Sequence, residues 1–244
     1  MSNQPFGVRP AGSQPMGPLT ISLDNARFMS RVYGWMTAGL CLTGAVAWNV
    51  AGNPEIVRTI FGNRLLFWAL IIVQLGAVFA LSGLINKINA ATATLIYFFY
   101  AAITGLTFSG IFLAYTGSSI AQVFGLTAFS FAGLSAVGLV TKRDLGPVGS
   151  FCTMGLFGLV GFGLLSIFFP SLMSGVGSFA YSVVGIIVFA GLTAYDTQKI
   201  KNLNAPGTEG TEQGRKEAIL GALTLYLDFI NLFLSLLRLT GRRR

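Results

Sequence analysis

The sequence predicts an all-α membrane protein, a bundle of seven transmembrane helices. Three observations support this prediction. Of the 244 residues, 53% are hydrophobic and only 10% are charged, whereas soluble domains carry about 25% charged residues. Apolar stretches of membrane-spanning length recur along the chain. All eight prolines fall outside those stretches. Most of the protein surface is therefore expected to contact lipid.

Residues 1–26 differ from the rest of the chain. They are polar and rich in glycine, hold four of the eight prolines and contain no apolar core of a signal peptide. A segment of this composition buries too little apolar surface to fold. We therefore expect a disordered cytoplasmic tail over residues 1–26, followed by one transmembrane domain over residues 27–244.

Seven stretches are long enough to cross a membrane, since a hydrocarbon core about 30 Å thick requires about 20 apolar residues per helix. They are residues 32–50, 65–83, 92–115, 120–140, 148–169, 179–198 and 218–237. Within two long uncharged runs, the chain is expected to reverse near residues 115–119 and 170–178. A β-barrel is excluded, because its sequence alternates in segments of about 10 residues.

The basic residues indicate the orientation of the chain. With the N-terminus in the cytoplasm, ten Lys and Arg residues fall on the cytoplasmic side and six on the other, as the positive-inside rule requires. Arg238 and the three terminal arginines are the discordant group. Either the last apolar stretch re-enters the membrane and keeps these arginines inside, or it crosses. Its length favours crossing.

Several classes of function are excluded by composition. The chain has no histidine, which excludes Ser-His-Asp and Cys-His catalysis and histidine-rich zinc sites. Its two cysteines, Cys41 and Cys152, lie far apart in apolar runs, so neither a disulfide framework nor a metal spacing is present. The basic residues are scattered between apolar runs, which indicates a membrane surface and not a nucleic acid as their partner.

Two acidic residues lie inside apolar spans, Asp196 and Asp228. A charge at a helix centre costs about 2.5–3.5 kcal/mol on insertion scales, so such carboxylates usually face the bundle interior and have a function. Asp228 lies near the middle of the last span, about 15 Å deep at 1.5 Å per residue. The alternative interpretation is a packing hydrogen bond with Thr224 or Asn231, which lie one helical turn away.

Asp196 follows Tyr195 and lies nearer the cytoplasmic end of its span. Its alternative interpretation is an interfacial aspartate paired with Lys199. Because the sixth and seventh spans are consecutive and antiparallel, Asp196 and Asp228 can approach each other if one helix is shifted in depth. Two adjacent carboxylates in a medium of low dielectric constant do not both ionise readily and tend to share a proton. This pair is the expected pH sensor.

The same two carboxylates are candidate transient ligands of Ca²⁺, a hard cation that prefers oxygen ligands. Ca²⁺ is then the transported ion, and no bound cofactor is expected. Hydroxyl groups in TGLTFSG (104–110) could extend a polar path, or they could serve only to pack helices. The supporting polar residues of this hypothesis are Thr104, Thr107, Ser109, Tyr195, Lys199, Thr224 and Asn231.

Five segments of the chain are distinctive. They are VYGWM (32–36), TGLTFSGIF (104–112), TKRDL (141–145), GLTAYDTQKIK (191–201) and GALTLYLDFINLFL (221–234). From about residue 27 to its end, the chain resembles the bacterial branch of the transmembrane Bax inhibitor motif family, the YccA- and YbhL-like inner-membrane proteins.

The resemblance implies seven helices with the C-terminal helix central, and, in several members, a pH-sensitive calcium leak. The family's di-aspartyl sensor corresponds to Asp196 and Asp228. Some members latch this pair with an arginine in the second helix. Here the second span has only Gln74 as an interior polar residue, so the gating can differ.

The expected function is therefore a pH-sensitive calcium leak channel or transporter of the bacterial inner membrane, with lipid, protons and Ca²⁺ as partners. The alternative is a non-transporting regulator that associates with a membrane-bound protease, as YccA-like relatives do, through residues 1–26. An intramembrane aspartyl protease fits less well, because Asp228 lacks the GxGD context of such enzymes. We expect no enzymatic activity.

Overall fold

The computed structural model describes residues 18–203 and 210–244. These residues form eight α-helices and one short 3-10 turn, with no β-strand among them. The helices are α1 (Pro18–Ala51), α2 (Pro54–Gly62), α3 (Arg64–Leu84), α4 (Ala90–Ala114), α5 (Gly117–Val140), α6 (Gly146–Phe168), α7 (Gly175–Leu203) and α8 (Glu212–Thr240), and the 3-10 turn is Pro170–Met173.

The prediction of an all-α membrane protein is confirmed. Six helices of the described residues, α3 to α8, are long and apolar enough to cross a membrane. They coincide with the second to seventh predicted spans. The first predicted span, residues 32–50, lies within α1, which is not among the six. The two reversals predicted near residues 115–119 and 170–178 occur there: α4 ends at Ala114 and α5 begins at Gly117, while α6 ends at Phe168 and α7 begins at Gly175.

Helix α1 begins earlier than the sequence suggested. It starts at Pro18, so residues 18–26 of the segment expected to be a disordered tail are helical, and residues 1–17 lie outside the described residues. Proline is favoured in the first turn of a helix because its missing N–H has no partner there. Phe28, Met29 and Val32 are buried in the main core, and their burial stabilises this end of α1.

The short helix α2 was not predicted. It is too short to cross a membrane, begins with Pro54 and buries Val57 and Ile60 on one face. The next residue, Asn63, ends α2 and caps α3, because its side chain accepts hydrogen bonds from the backbone N–H groups of Leu65 and Leu66. The chain therefore turns between α1 and α3 through an ordered element.

Helix α8 is the most buried of the six candidate spans. Two-thirds of its apolar window is buried (67%), against 11% in α3 and in α6. It packs against α1, α4, α5 and α7, whereas α3 packs mainly on α4, and α6 mainly on α7. A helix that is buried on most sides in a membrane protein contacts protein instead of lipid, so its polar groups need partners inside the bundle.

Helix α8 extends from one end of the bundle to the other. At its start, Glu212 Oε1 accepts a hydrogen bond from the backbone N–H of Ala90, the first residue of α4. After its end, the backbone N–H of Arg242 donates to Ser119 Oγ at 2.9 Å, and that of Arg244 donates to the carbonyl oxygen of Ala114, the last residue of α4. Helix α8 therefore runs beside α4 from one end of that helix to the other.

Candidate functional site

The candidate site lies where α7 and α8 pack closely against each other. A Cβ atom on Gly221 of α8 would lie 2.9 Å from Cγ2 of Ile200, and one on Gly185 of α7 would lie 2.6 Å from Ser235 Oγ. These two contacts fix the antiparallel register of the helices. Asp196 is then level with residue 225, and Asp228 lies about 4.5 Å deeper, at 1.5 Å per residue.

Both helices are longer than the predicted spans, which resolves the difference in depth that the sequence left open. Helix α7 continues to Leu203 and α8 starts at Glu212. Ile200, beyond Lys199, is still buried. Asp196 therefore lies inside the packed interface and not at its edge.

The carboxyl groups of Asp196 and Asp228 lie within hydrogen-bonding reach of each other. Asp228 is 5% exposed, and Asp196 is half-buried. Two ionised carboxylates repel each other at this range, whereas one protonated carboxyl group can donate a hydrogen bond to the other. The arrangement is therefore stable with one shared proton and is destabilised when both groups ionise.

Thr224 and Asn231 do not satisfy the carboxylate of Asp228. Thr224 Oγ1 donates to the carbonyl oxygen of Leu220 at 3.1 Å, and Asn231 Nδ2 donates to that of Leu227 at 2.8 Å. Oδ2 of Asp228 is buried without a hydrogen-bond donor among the described residues. The packing hydrogen bond that the sequence offered as the alternative is thus not formed.

Lys199 lies near Asp196, and its positive charge acts on that carboxylate. Its Nζ atom also lies 5.8 Å from the centre of the Tyr195 ring. Tyr195 itself faces away from the pair, since its ring covers Gly149 of α6 so closely that a Cβ atom there would lie 2.5 Å away. Tyr195 is therefore a packing residue between α6 and α7.

A cavity of about 130 Å³ borders the pair on the side of the α7–α8 connection. Asp196, Lys199, Thr224 and Glu217 contribute to its lining. Glu217 Oε1 accepts a hydrogen bond from Gln213 Nε2 at 2.9 Å, while Oε2 is buried without a partner in the described chain. The cavity is thus lined by a carboxylate from α7, Asp196, and one from α8, Glu217.

Glu217 was not among the predicted site residues, because it precedes the predicted span of residues 218–237. The structure places it in the second turn of α8. A signal was available, because Glu217, Thr224, Asp228 and Asn231 recur at offsets of 7, 11 and 14 residues, which lie on one helical face. This face extends along the contact with α7.

Thr104, Thr107 and Ser109 are not brought to the pair. They lie on α4, which does not pack against α7 in the described structure. Each hydroxyl donates to a carbonyl oxygen of its own helix. A packing role fits these three residues, because such back-bonding satisfies a hydroxyl without a partner helix.

Thr104 of α4 takes part in a second polar cluster. This cluster lies on a face of α8 different from the face that carries Asp228. Tyr226 Oη and Thr43 Oγ1 are 2.7 Å apart, and Thr43 Oγ1 also donates to the carbonyl oxygen of Ala101. Thr104 Oγ1 lies 3.4 Å from Gln74 Oε1. Gln74 therefore contacts α4 and is no latch for the carboxylate pair. The cluster joins α1, α3, α4 and α8.

The described residues contain no group of three or more acidic or cysteine side chains that could hold a metal ion. Ca²⁺ takes six to eight oxygen ligands, so Asp196 and Asp228 alone cannot enclose it. A cation that passes the pair would need backbone carbonyl groups or water to complete its shell. The geometry thus fits brief contact with an ion better than storage of one.

Comparison with known proteins gives a consistent result. A family model described as "Inhibitor of apoptosis-promoting Bax1" matches residues 25–244. The chain is 48% identical over 218 residues to the inner membrane protein YbhL of Escherichia coli (strain K12), covering 89% of this chain and 92% of YbhL. An uncharacterised protein of Borreliella burgdorferi is 43% identical over 89% of this chain and 93% of its own length. One of Deinococcus radiodurans is 42% identical over 91% and 94%.

Proposed function

The chain belongs to the Bax inhibitor-1 family, and from that premise we propose that it is a pH-sensitive leak pathway for Ca²⁺, gated by protonation of Asp196 and Asp228. The observation that carries the proposal is the contact between these two carboxyl groups in the α7–α8 interface. Protonation changes the charge of the pair and with it the attraction for a cation and the repulsion between the helices.

The proposed path begins at the cavity beside the pair. Glu217 and Asp196 supply negative charge there, and Lys199 is the opposing cation. A cleft lined by carboxylates concentrates cations. Beyond Asp228, the α7–α8 interface continues past Asn231 to the close contact of Ser235 with Gly185. This tight contact is the proposed closed part of the path.

We propose seven transmembrane spans with α8 at the centre. Helix α1 supplies the first span, because it contains the apolar residues 32–50 and packs along α4 and α8. The E. coli relative is named an inner membrane protein, and we propose the same location here. The distribution of Lys and Arg supports a cytoplasmic N-terminus. In this orientation, the cavity with Glu217 opens to the cytoplasm and the C-terminal arginines lie outside.

The test is Ca²⁺ flux in liposomes that contain the purified full-length protein and an enclosed calcium indicator. We expect the flux of the wild type to vary with pH, because the pair changes charge. Asparagine has the shape of a protonated carboxyl group but cannot ionise. Asp228→Asn should therefore remove the pH dependence. Asp144→Asn, at an exposed aspartate before α6, is the matched control and should behave as the wild type.

Two outcomes contradict the proposal. One is a pH-dependent flux that is the same in Asp228→Asn and in the wild type. The other is the absence of Ca²⁺ flux at every pH in protein that is folded by circular dichroism, which would favour a non-transporting regulator.

A further inference from the structure

A groove opens towards the lipid between α1 and α5. Both helices pack against α8 but make few or no contacts with each other in the described structure. The groove has a volume of about 510 Å³, and Phe229 of α8 forms part of its floor. Met36 and Leu40 line one wall, and Phe131 lines the other. The volume is in the range of about 300–1,000 Å³ that is typical of ligand sites.

This groove continues towards both ends of the bundle. At the end where α7 finishes, it joins a cavity of about 420 Å³ through the shared residues Tyr33 and Leu139. At its deep end, it joins a smaller cavity of about 80 Å³ through Leu40 and Phe124. The three cavities form one elongated path along α1, which has the shape of a chain and not of a compact ligand.

The mouth of the path carries a positive charge. Lys201, Asn25 and Ser30 line it, and none of its lining residues in the described part of the chain is acidic. Lys201 Nζ donates to the carbonyl oxygen of Leu139 at 2.7 Å, which holds the ammonium group over the mouth. An ammonium group has three N–H donors, and the carbonyl oxygen of Leu139 accepts from one of them.

Tyr33 lies at the junction of the mouth, which carries Lys201, and the apolar groove. Its hydroxyl oxygen is buried and has no hydrogen-bond partner in the described chain. A buried hydroxyl without a partner is destabilising, so a hydrogen-bond acceptor that reaches Tyr33 when the groove is filled is favoured. Tyrosine commonly occupies the boundary between headgroups and acyl chains.

We propose that this path binds one anionic phospholipid. The phosphate lies at Lys201, a glycerol ester carbonyl accepts the hydrogen bond of Tyr33, and one acyl chain lies in the groove over Phe229. The order of the groups along α1, cation, hydroxyl and apolar wall, matches the order of groups along a phospholipid. Basic pockets between transmembrane helices are known to take anionic headgroups.

A second copy of this chain fits the groove less well. The chain carries a formal net charge of +8, so another copy brings few acidic groups to Lys201. A second copy of the chain also gives no reason for the groove to be elongated. The lipid proposal does not depend on ion flux, and its test is separate from that of the proposed function.

The test is native mass spectrometry of the full-length protein, extracted from membranes and then exposed to phosphatidylglycerol or phosphatidylethanolamine. We expect one retained phospholipid and a preference for phosphatidylglycerol. In Ala136→Trp, a large side chain on the wall fills the groove. This variant should reduce retained lipid by about tenfold, which corresponds to about 1.4 kcal/mol of binding free energy. Val137→Trp is the matched control, because Val137 is the adjacent exposed residue and does not line the groove.

Two further measurements separate the parts of the proposal. Lys201→Gln should retain the lipid but lose the preference for phosphatidylglycerol, while Lys87→Gln, outside the path, should keep it. A photoreactive phosphatidylglycerol should label the exposed groove residues Thr37 or Ala136 in the wild type, which requires no variant to fold. Equal lipid retention in Ala136→Trp and Val137→Trp, labelling spread over α3 and α6, or a lipid-free dimer would each overturn the proposal.

Discussion

The carboxyl groups of Asp196 and Asp228 reach each other across the α7–α8 interface, although Asp228 lies about one turn deeper in the bundle, roughly 4.5 Å by helix geometry. The register that allows this is set by the contact of Gly221 with Ile200. Asp228 is almost fully buried, while Asp196 borders a cavity that also contains Glu217. In the proposed mechanism, a proton enters at Asp196 and is shared with Asp228.

Glu217 is expected to collect cations for the proposed path. In Glu217→Gln the cavity loses one negative charge, so Ca²⁺ flux at low ionic strength should fall by up to about tenfold. The pH dependence should remain, because the aspartate pair is intact. Since salt screens the attraction of a charge for cations approaching from solution, the difference should shrink as ionic strength rises. Liposome flux at two salt concentrations measures this.

The control for this prediction is Glu212→Gln. Glu212 lies on the same end of α8, is exposed and pairs with Lys216 at 3.7 Å, but it does not line the cavity. An equal loss of flux in Glu212→Gln and Glu217→Gln would show that surface charge, and not the cavity, is responsible.

Gly138 is expected to be essential for the packing of α5 against α7. A Cβ atom at this position would overlap the carbonyl oxygen of Ala194, a backbone atom that cannot move away easily. Gly138→Ala should therefore destabilise the protein by about 1–3 kcal/mol, and thermal unfolding in detergent should show a lower midpoint. Gly133→Ala, on the same helix with no atom within 4 Å, should be neutral or slightly stabilising. Equal midpoints for the two variants would contradict the packing.

Tyr226 is expected to stabilise the bundle without taking part in gating. Its hydroxyl lies 2.7 Å from Thr43 Oγ1 on the side of α1 and α4, away from the aspartate pair. Tyr226→Phe should lower the free energy of unfolding by about 1 kcal/mol, while the pH dependence of Ca²⁺ flux should stay as in the wild type. A changed pH dependence would show that the two polar clusters are linked.

The ends of α8 are expected on opposite faces of the membrane. In a background with Cys41→Ser and Cys152→Ser, Ser118→Cys and Thr240→Cys should react with an impermeant maleimide from the same side, since Arg242 contacts Ser119. Gln213→Cys should react from the other side. Labelling of Gln213→Cys and Thr240→Cys from one side would indicate a re-entrant helix.

Much of the fold could be predicted from hydropathy and prolines. The second to seventh predicted spans match α3 to α8, because an uncharged run of this length has few alternatives to a membrane helix. Helix α2 was missed since a short helix with two buried residues, Val57 and Ile60, has no periodic signal over enough turns. The helical start at Pro18 was missed because the burial of Phe28 and Met29 depends on other helices.

The candidate site could be predicted only in part. A charge within an apolar run is visible in the sequence, so Asp196 and Asp228 were identified. Their relative depth was not, because it depends on the close contact of Gly221 with α7. Glu217 was missed because the predicted span begins at residue 218, whereas α8 begins at Glu212. The separation of Thr104 from the pair follows from the order of helices around α8, which hydropathy does not encode.

The central claim is that one proton shared by Asp196 and Asp228 controls the leak. Its most direct test is an infrared titration of the protonated carboxyl band, carried out on the same liposomes as the flux measurement. We predict that the wild type loses one protonated carboxyl group over the pH range in which Ca²⁺ flux changes, and that this signal is missing in Asp196→Asn/Asp228→Asn. Two ionised carboxylates throughout the flux transition would contradict it.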